Sequence, residues 1–131
     1  MNYKLALIPG KRIALFRWSG PITFEDRMKN VKRMGQFCNE NKIKDLIVDT
    51  RKQVSTTRAM QMFDLGASVP EVLGGIRIAV VCQSSDHTTQ FGETVAANRG
   101  AFCRSFTSFA EAQRWLEGKA VTPYKPDARD T

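Results

Sequence analysis

Three adjacent hydroxyl side chains lie between an apolar run and a helical pattern, namely Ser55, Thr56 and Thr57. One hydroxyl at the start of a helix accepts a hydrogen bond from a first-turn N–H group and caps the helix. Capping alone is the simplest interpretation, but it accounts for one hydroxyl only. The others leave two alternatives open: binding of an anion or ligand at the helix N-terminus, and phosphorylation, whose charge could be held by Arg51, Lys52 and Arg58.

A second polar cluster follows the apolar run at 76–82 and consists of Ser84, Ser85, Asp86 and His87. Asp49 and Arg51 follow the apolar run at 46–48 in the same way. If the two runs are parallel neighbouring strands, both polar groups emerge at the carboxyl edge of the sheet, where ligands bind in open α/β folds. The sequence therefore predicts a binding edge there, with a helix cap and a solvent-exposed His87 as the simpler alternative.

The chain contains the residue types of a Ser–His–Asp hydrolase, with Ser55 or Ser84, His87 and Asp49. It has no G-x-S-x-G elbow, and the stretch QSSDHT has no glycine for the strained turn that such a nucleophile needs. P-loop and GxGxxG motifs are absent, which excludes nucleotide binding through them. We predict a non-enzymatic protein with no catalytic residue and no cofactor, and keep a small hydrolase as a remote alternative.

Residue counts also argue against a metal site. One histidine, His87, excludes a His-rich site. The three cysteines, Cys38, Cys82 and Cys103, are too far apart in sequence to form a CxxC-type redox or zinc motif. Each has apolar neighbours, which favours buried free thiols. We therefore predict that the chain holds no metal ion.

The net charge of +7 is unevenly distributed. Residues 27–58 contain nine basic and three acidic residues, and a basic patch of Lys29, Lys32 and Arg33 occupies one side of the first predicted helix. A solvated helix face is the plain interpretation. Nucleic acid is disfavoured, since no aromatic residues are interleaved with the charges. An acidic partner protein or anionic lipid head groups remain alternatives for this patch.

A length of 131 residues with 42% hydrophobic and 25% charged content indicates one globular domain. No apolar run approaches the roughly 20 residues of a membrane helix. The N-terminus lacks the apolar length and cleavage site of a signal peptide, so we expect a cytoplasmic location. Periodicity ends near Gly118, which predicts a domain over 1–118 and a disordered tail over 119–131.

Hydrophobic periodicity predicts the elements that position these residues. Alternating residues at 3–7 and the run at 12–18 form a hairpin, and Ser19, Gly20 and Pro21 break its second strand. Helices are predicted over 23–41, 56–67, 87–98 and from Ser108 onward, with strands at 46–50, 76–82 and 101–106 and a loop at 68–75. The order is β-β-α-β-α-β-α-β-α, which predicts an α/β fold with a mixed, mostly parallel five-stranded sheet and four helices.

Short motifs in this order carry a resemblance: the helix start ITFED, the strands LIVDTR and RIAVV, and the terminal SFTSFAEAQRWL. Over residues 1–118 the chain resembles a STAS domain (sulfate transporter and anti-sigma factor antagonist), and within it the SpoIIAA-like or STAS/SEC14-like small bacterial proteins. The resemblance implies a non-enzymatic role in binding a partner protein or a small ligand. In the anti-sigma factor antagonists of this family, the corresponding loop contains an Asp-Ser pair followed by Gly, and the Ser is phosphorylated. The matching segment here, 54–59, has hydroxyls but not that pattern.

The leading hypothesis is a cytoplasmic bacterial regulatory or protein-interaction module of the anti-sigma-factor-antagonist type, with an unidentified protein partner. The alternative is a carrier of a small nucleotide or lipid ligand, using the same edge and a pocket under the second helix. A small anionic ligand and a homodimer also remain open.

Overall fold

A computed structural model describes residues 2–55, 59–83, 95, 98–100 and 102–119. The elements in chain order are β1 (Tyr3–Leu7), β2 (Ala14–Ile22), α1 (Phe24–Asn41), β3 (Asp45–Ser55), α2 (Ala59–Leu73), β4 (Arg77–Val81), β5 (Phe102–Phe106) and α3 (Phe109–Leu116). The five strands lie side by side in the order β1-β2-β3-β4-β5. β1 is antiparallel to β2, and the other three pairs are parallel. The predicted mixed, mostly parallel sheet is confirmed.

The predicted number of helices differs from the observed number. Four helices were expected, and the described part of the chain contains three. The expected helix over 87–98 falls outside the described residues except for Val95 and Asn98, which are both helical. The expected tail over 119–131 also lies outside them apart from Lys119.

The N-terminal hairpin forms as predicted, with Leu5 opposite Phe16 in the β1–β2 register. The predicted break at Ser19–Pro21 is wrong, because β2 continues to Ile22. Gly20 adopts a φ of +93°, a conformation that glycine tolerates without strain. Trp18 donates an indole hydrogen bond of 3.0 Å to the Pro21 carbonyl, which holds this extension in place.

Helix α1 begins and ends where the sequence indicates. Thr23 is the N-cap, and its hydroxyl and the Asp26 carboxylate each accept a hydrogen bond from the other's backbone N–H group, a complete capping box. Lys42 ends the helix in the left-handed conformation with a φ of 55°. Of the predicted apolar stripe, Val31, Gly35 and Cys38 are buried, and the two residues nearer the N-terminus are half-buried.

Two predicted boundaries after α1 are wrong. β3 extends to Ser55 rather than ending near residue 50, so residues 51–55 belong to the strand and Asp49 lies in its middle. Helix α2 continues through Pro70 to Leu73, where a loop was expected. Proline removes one hydrogen bond within the helix, and the burial of Leu65 and Leu73 against the sheet stabilises the continued helix despite that loss.

The sheet is covered on both faces. Helices α1 and α2 pack on one face over a cluster that includes Phe16, Leu46 and Ile78. They approach each other closely at Gly35, where an added Cβ would lie 2.7 Å from Val72 Cγ1. Helix α3 packs on the other face over Ile47 and neighbouring apolar residues. Within the described ranges, no helix has the length and apolar content needed to span a bilayer.

Candidate functional site

Asp49 lies in the middle of the sheet, opposite Arg17 of β2 and Val81 of β4. Its side chain is only 4% exposed. The carboxylate accepts hydrogen bonds from Arg17 Nε at 2.9 Å, from Arg51 Nε at 2.9 Å and from Arg51 Nη2 at 2.8 Å. The Arg51 backbone N–H group donates a fourth, at 3.1 Å. We call Arg17, Asp49 and Arg51 the edge cluster.

The ionisation of Asp49 follows from these contacts. Burial acts to raise the pKa of its carboxyl, but the hydrogen bonds from Arg51 and Arg17, with the positive charge of Arg51, outweigh burial and lower that pKa below its usual value. The same hydrogen bond raises the pKa of Arg51. Asp49 is therefore an anion at neutral pH, and its charge serves to fix two guanidinium groups.

Arg51 lies at the carboxyl edge of the sheet. Its guanidinium is 6.0 Å from the ring centre of Phe109, the first residue of α3. Its backbone carbonyl accepts a hydrogen bond of 2.6 Å from Gln83 Nε2, just beyond the end of β4. The side chains of Arg17 and Arg51 are 36% and 41% exposed, so both guanidinium groups are held by Asp49 while still accessible from solvent.

The structure tests the predicted edge only in part. Ser55 is the last residue of β3 and pairs with Ile22. Thr56 and Thr57 lie outside the described residues, as do Ser84, Ser85, Asp86 and His87. Their roles in phosphorylation, in ligand binding or as part of a Ser–His–Asp set stay predictions.

The basic patch on α1 divides into two kinds of residue. Lys29 and Lys32 are exposed. Arg33 is half-buried: it donates a hydrogen bond of 2.8 Å to Asn30 Oδ1 and its guanidinium lies 4.7 Å from the ring centre of Tyr3. Arg33 therefore packs α1 against β1 and contributes less to the outer surface than the two lysines.

A cavity of about 100 Å³ lies between α1, α2 and the sheet. Most of its wall is apolar, but four polar residues also line it, namely Arg27, Asn30, Thr50 and Gln53. Sequence reasoning missed all four as site residues. The signal available was spacing: Arg27 precedes Val31 by four positions on the stripe that α1 buries, and it is 6% exposed.

The three cysteines lie apart from one another in burial and in the fold. Cys38 and Cys82 are buried, Cys103 is half-buried, and none of the three forms a disulfide. Burial raises the pKa of Cys38 to about 11. No group of three or more metal-ligating side chains occurs in the part of the chain that the structure describes.

Two solved structures resemble this chain in fold. One similar structure is a protein of the DUF3478 family from Shewanella loihica PV-4, described as uncharacterised with a SpoIIAA-like fold. It is 16% identical with a TM-score of 0.55, over 87% of this chain and 91% of that one. Another is the anti-sigma factor antagonist SpoIIAA in its unphosphorylated form, 11% identical with a TM-score of 0.56, over 88% and 98%.

The chain has a SpoIIAA-like fold. No protein-family model and no curated protein sequence matches it, so the likeness is one of structure.

Within this SpoIIAA-like fold, the edge cluster and the cavity lie on opposite faces of the sheet, because Asp49 packs on the α3 side and Thr50 on the α1–α2 side. The two features can therefore be tested separately.

Proposed function

We propose that this chain is a non-enzymatic regulatory or protein-interaction module whose contact surface is the carboxyl edge around the edge cluster. The observation that carries the proposal is the buried Asp49 carboxylate, which fixes two partly exposed guanidinium groups. The fold supports it, because one protein that shares the fold is an anti-sigma factor antagonist. Under this proposal the protein is cytoplasmic and the module spans 1–118.

The chemistry of the edge cluster favours an acidic partner. Two guanidinium groups share one carboxylate, so the cluster retains a net positive charge. Planar guanidinium groups pair with carboxylates or phosphates through two parallel hydrogen bonds. Because Asp49 already orients both groups, less side-chain freedom is lost when a partner binds. The edge cluster is therefore best suited to bind a partner surface that carries acidic side chains.

Regulation by phosphorylation is a second part of the proposal. Ser55, Thr56 and Thr57 follow the strand that carries Asp49 and Arg51. A phosphoryl group adds almost two negative charges, which would compete with an acidic partner for the nearby basic residues. Replacement of Ser55 by Glu should weaken partner binding. If Ser55→Glu and the corresponding Thr56 and Thr57 variants all bind the partner unchanged, regulation by phosphorylation at these residues is refuted.

Affinity capture from the native cell, followed by mass spectrometry, tests the contact surface. The informative variant is the double substitution Arg17→Gln with Arg51→Gln. Its matched control is Lys29→Gln with Lys32→Gln, which removes the same charge from the exposed face of α1. The edge variant should lose a protein that the wild type and the control both retain, and the captured protein should elute at raised salt. Equal capture by both variants would reject the edge as the contact surface.

A second candidate function, a small-ligand carrier, has one specific observation in its favour, the cavity under α2. Sites for drug-sized ligands are roughly 300–1,000 Å³, and this cavity has about 100 Å³. Its size favours a ligand much smaller than a nucleotide. The polar residues in its wall further restrict the chemistry of that ligand.

A further inference from the structure

The polar wall of the cavity contains a hydrogen-bond donor of fixed orientation. Asn30 is 3% exposed. Its Oδ1 accepts a hydrogen bond of 2.8 Å from Arg33 Nη1, which determines how the amide is turned. Its Nδ2 is buried and has no hydrogen-bond partner among the described residues. A buried N–H donor without a partner lowers stability, so this group is a candidate for contact with a ligand.

Two further residues add to the binding capacity of the same wall. Arg27 is 6% exposed and lines the cavity. A guanidinium has five N–H donors and a permanent positive charge, so Arg27 favours an anion at this wall. Gln53 Oε1 is also buried without a hydrogen-bond partner in the described part of the chain, and rotation of its amide can present a donor instead.

Most of the remaining lining is aliphatic or aromatic, and it includes Phe16, Val31, Val48, Leu65 and Val69. A cavity of about 150 Å³ lined by apolar side chains takes up benzene. The cavity here is smaller, about 100 Å³, but it is open to solvent on one side, so a ligand of on the order of six non-hydrogen atoms can bind without being enclosed completely. The donors require an oxygen head group, and the guanidinium charge favours an anionic one.

We infer that the cavity between α1, α2 and the sheet binds a short aliphatic carboxylate of about four carbons, with its head group at Arg27 and Asn30 and its chain against Val31 and Val69. This inference rests on the carrier function and is independent of the partner surface at the edge cluster. It assigns the unpartnered Asn30 amide a hydrogen bond that the described residues do not supply.

The test is a titration of the full chain with sodium butyrate, followed by amide and methyl NMR signals at constant ionic strength. Signals of Val31, Val48 and Val69 should shift in a saturable way. Butylammonium and 1-butanol have the same chain with a cationic or neutral head, and each should bind at least tenfold more weakly. This comparison uses the wild-type protein only, so it does not depend on any variant folding.

A variant pair then locates the head group. Asn30→Asp replaces the donor by a negative charge of the same shape and should weaken butyrate binding at least tenfold. Asn39→Asp makes the same charge change at an exposed position of α1 and should bind as the wild type does. Equal binding of the three probes, shifts outside the cavity, or unchanged binding by Asn30→Asp would overturn the inference.

Failure of this inference is distinguishable from failure of the partner surface. The Arg17→Gln and Arg51→Gln double variant changes no residue that lines the cavity and, once circular dichroism shows that it is folded, should still bind butyrate with wild-type affinity. Loss of butyrate binding in that variant would contradict the independence of the two sites. Loss of partner capture with unchanged butyrate binding would show that this variant affects only the partner surface at the edge cluster.

Discussion

Replacement of Asp49 by Asn should destabilise the protein at neutral pH. The substitution keeps the shape of the side chain and one acceptor oxygen but removes the negative charge that four N–H groups contact. Breaking a fully buried ion pair costs about 3–5 kcal/mol. Arg17 and Arg51 are 36% and 41% exposed, so water replaces part of the lost interaction. We expect a loss of about 2 kcal/mol in the free energy of unfolding.

The pH dependence of this loss provides the sharper test. The pKa of Asp49 is lowered in the folded protein. Its contribution to stability is therefore fully present above the unfolded-state pKa of about 3.9 and is lost as the pH falls through the lower folded-state pKa. The difference between wild type and Asp49→Asn should be largest near pH 7 and should shrink below about pH 4.

Urea denaturation followed by circular dichroism measures both quantities. The matched control is Asp45→Asn in the same strand. The Asp45 side chain is 21% exposed and accepts one Arg77 Nε hydrogen bond of 2.8 Å, so its replacement should cost under about 1 kcal/mol. A loss at Asp49 below about 0.5 kcal/mol, or an equal difference at neutral and acid pH, would refute the argument that the carboxylate charge fixes the edge cluster.

Three other variants test the packing and ends of the helices. Gly35→Ala should cost about 1–2 kcal/mol in urea unfolding, since its Cβ would lie 2.7 Å from Val72 Cγ1; adding Val72→Ala should recover part of the loss, and no recovery would contradict the clash. Thr23→Ala should cost about 1 kcal/mol through loss of the cap to Asp26, and an unchanged unfolding midpoint would contradict it. Cys38, with its pKa raised to about 11, should react with a thiol reagent at pH 8 only after unfolding, as mapped by mass spectrometry; rapid labelling of the native protein would show that it is not buried.

The parts of the fold that local sequence determines were predictable. Helix α1 was expected over 23–41 and is observed as Phe24–Asn41, because a capping box begins it and a repeating apolar stripe defines its buried face. The order of strands along the chain followed from apolar runs alternating with helical patterns, and the observed order of strands agrees. These signals act over a few residues and do not depend on the rest of the molecule.

The errors arose where distant contacts override local preference. Residues 51–55 are polar and basic, which favours a loop, yet they form strand because Ser19–Ile22 of β2 extends beside them. Pro70 suggests the end of a helix, yet α2 continues to Leu73, whose side chain is buried in the core cluster between the helices and the sheet. Neither outcome can be read from the segment itself.

The cavity was missed because residue type was weighed above position. Arg27 was considered only as part of the positive charge of residues 27–58, although it lies four residues before Val31 on the buried stripe. Asn30 was likewise given no role. A charged or amide side chain on the inner face of a helix is costly unless something pairs with it, and that cost marks the position as worth testing for a ligand.

Gln53 reaches the cavity only through an irregularity of the sheet. Alternation along β3 places Val48 and Thr50 on the cavity face, and would place Gln53 on the opposite face. Between Arg17 and Ser19 of β2, however, the partner residue advances from Asp49 to Lys52, so β3 contains one extra residue. Such a bulge reverses the alternation beyond it. Thr50 and Gln53 of the cavity wall and Asp49 and Arg51 of the edge cluster therefore come from one short stretch of β3, and deletion of one residue at Arg51 should turn Gln53 out of the cavity and weaken butyrate binding.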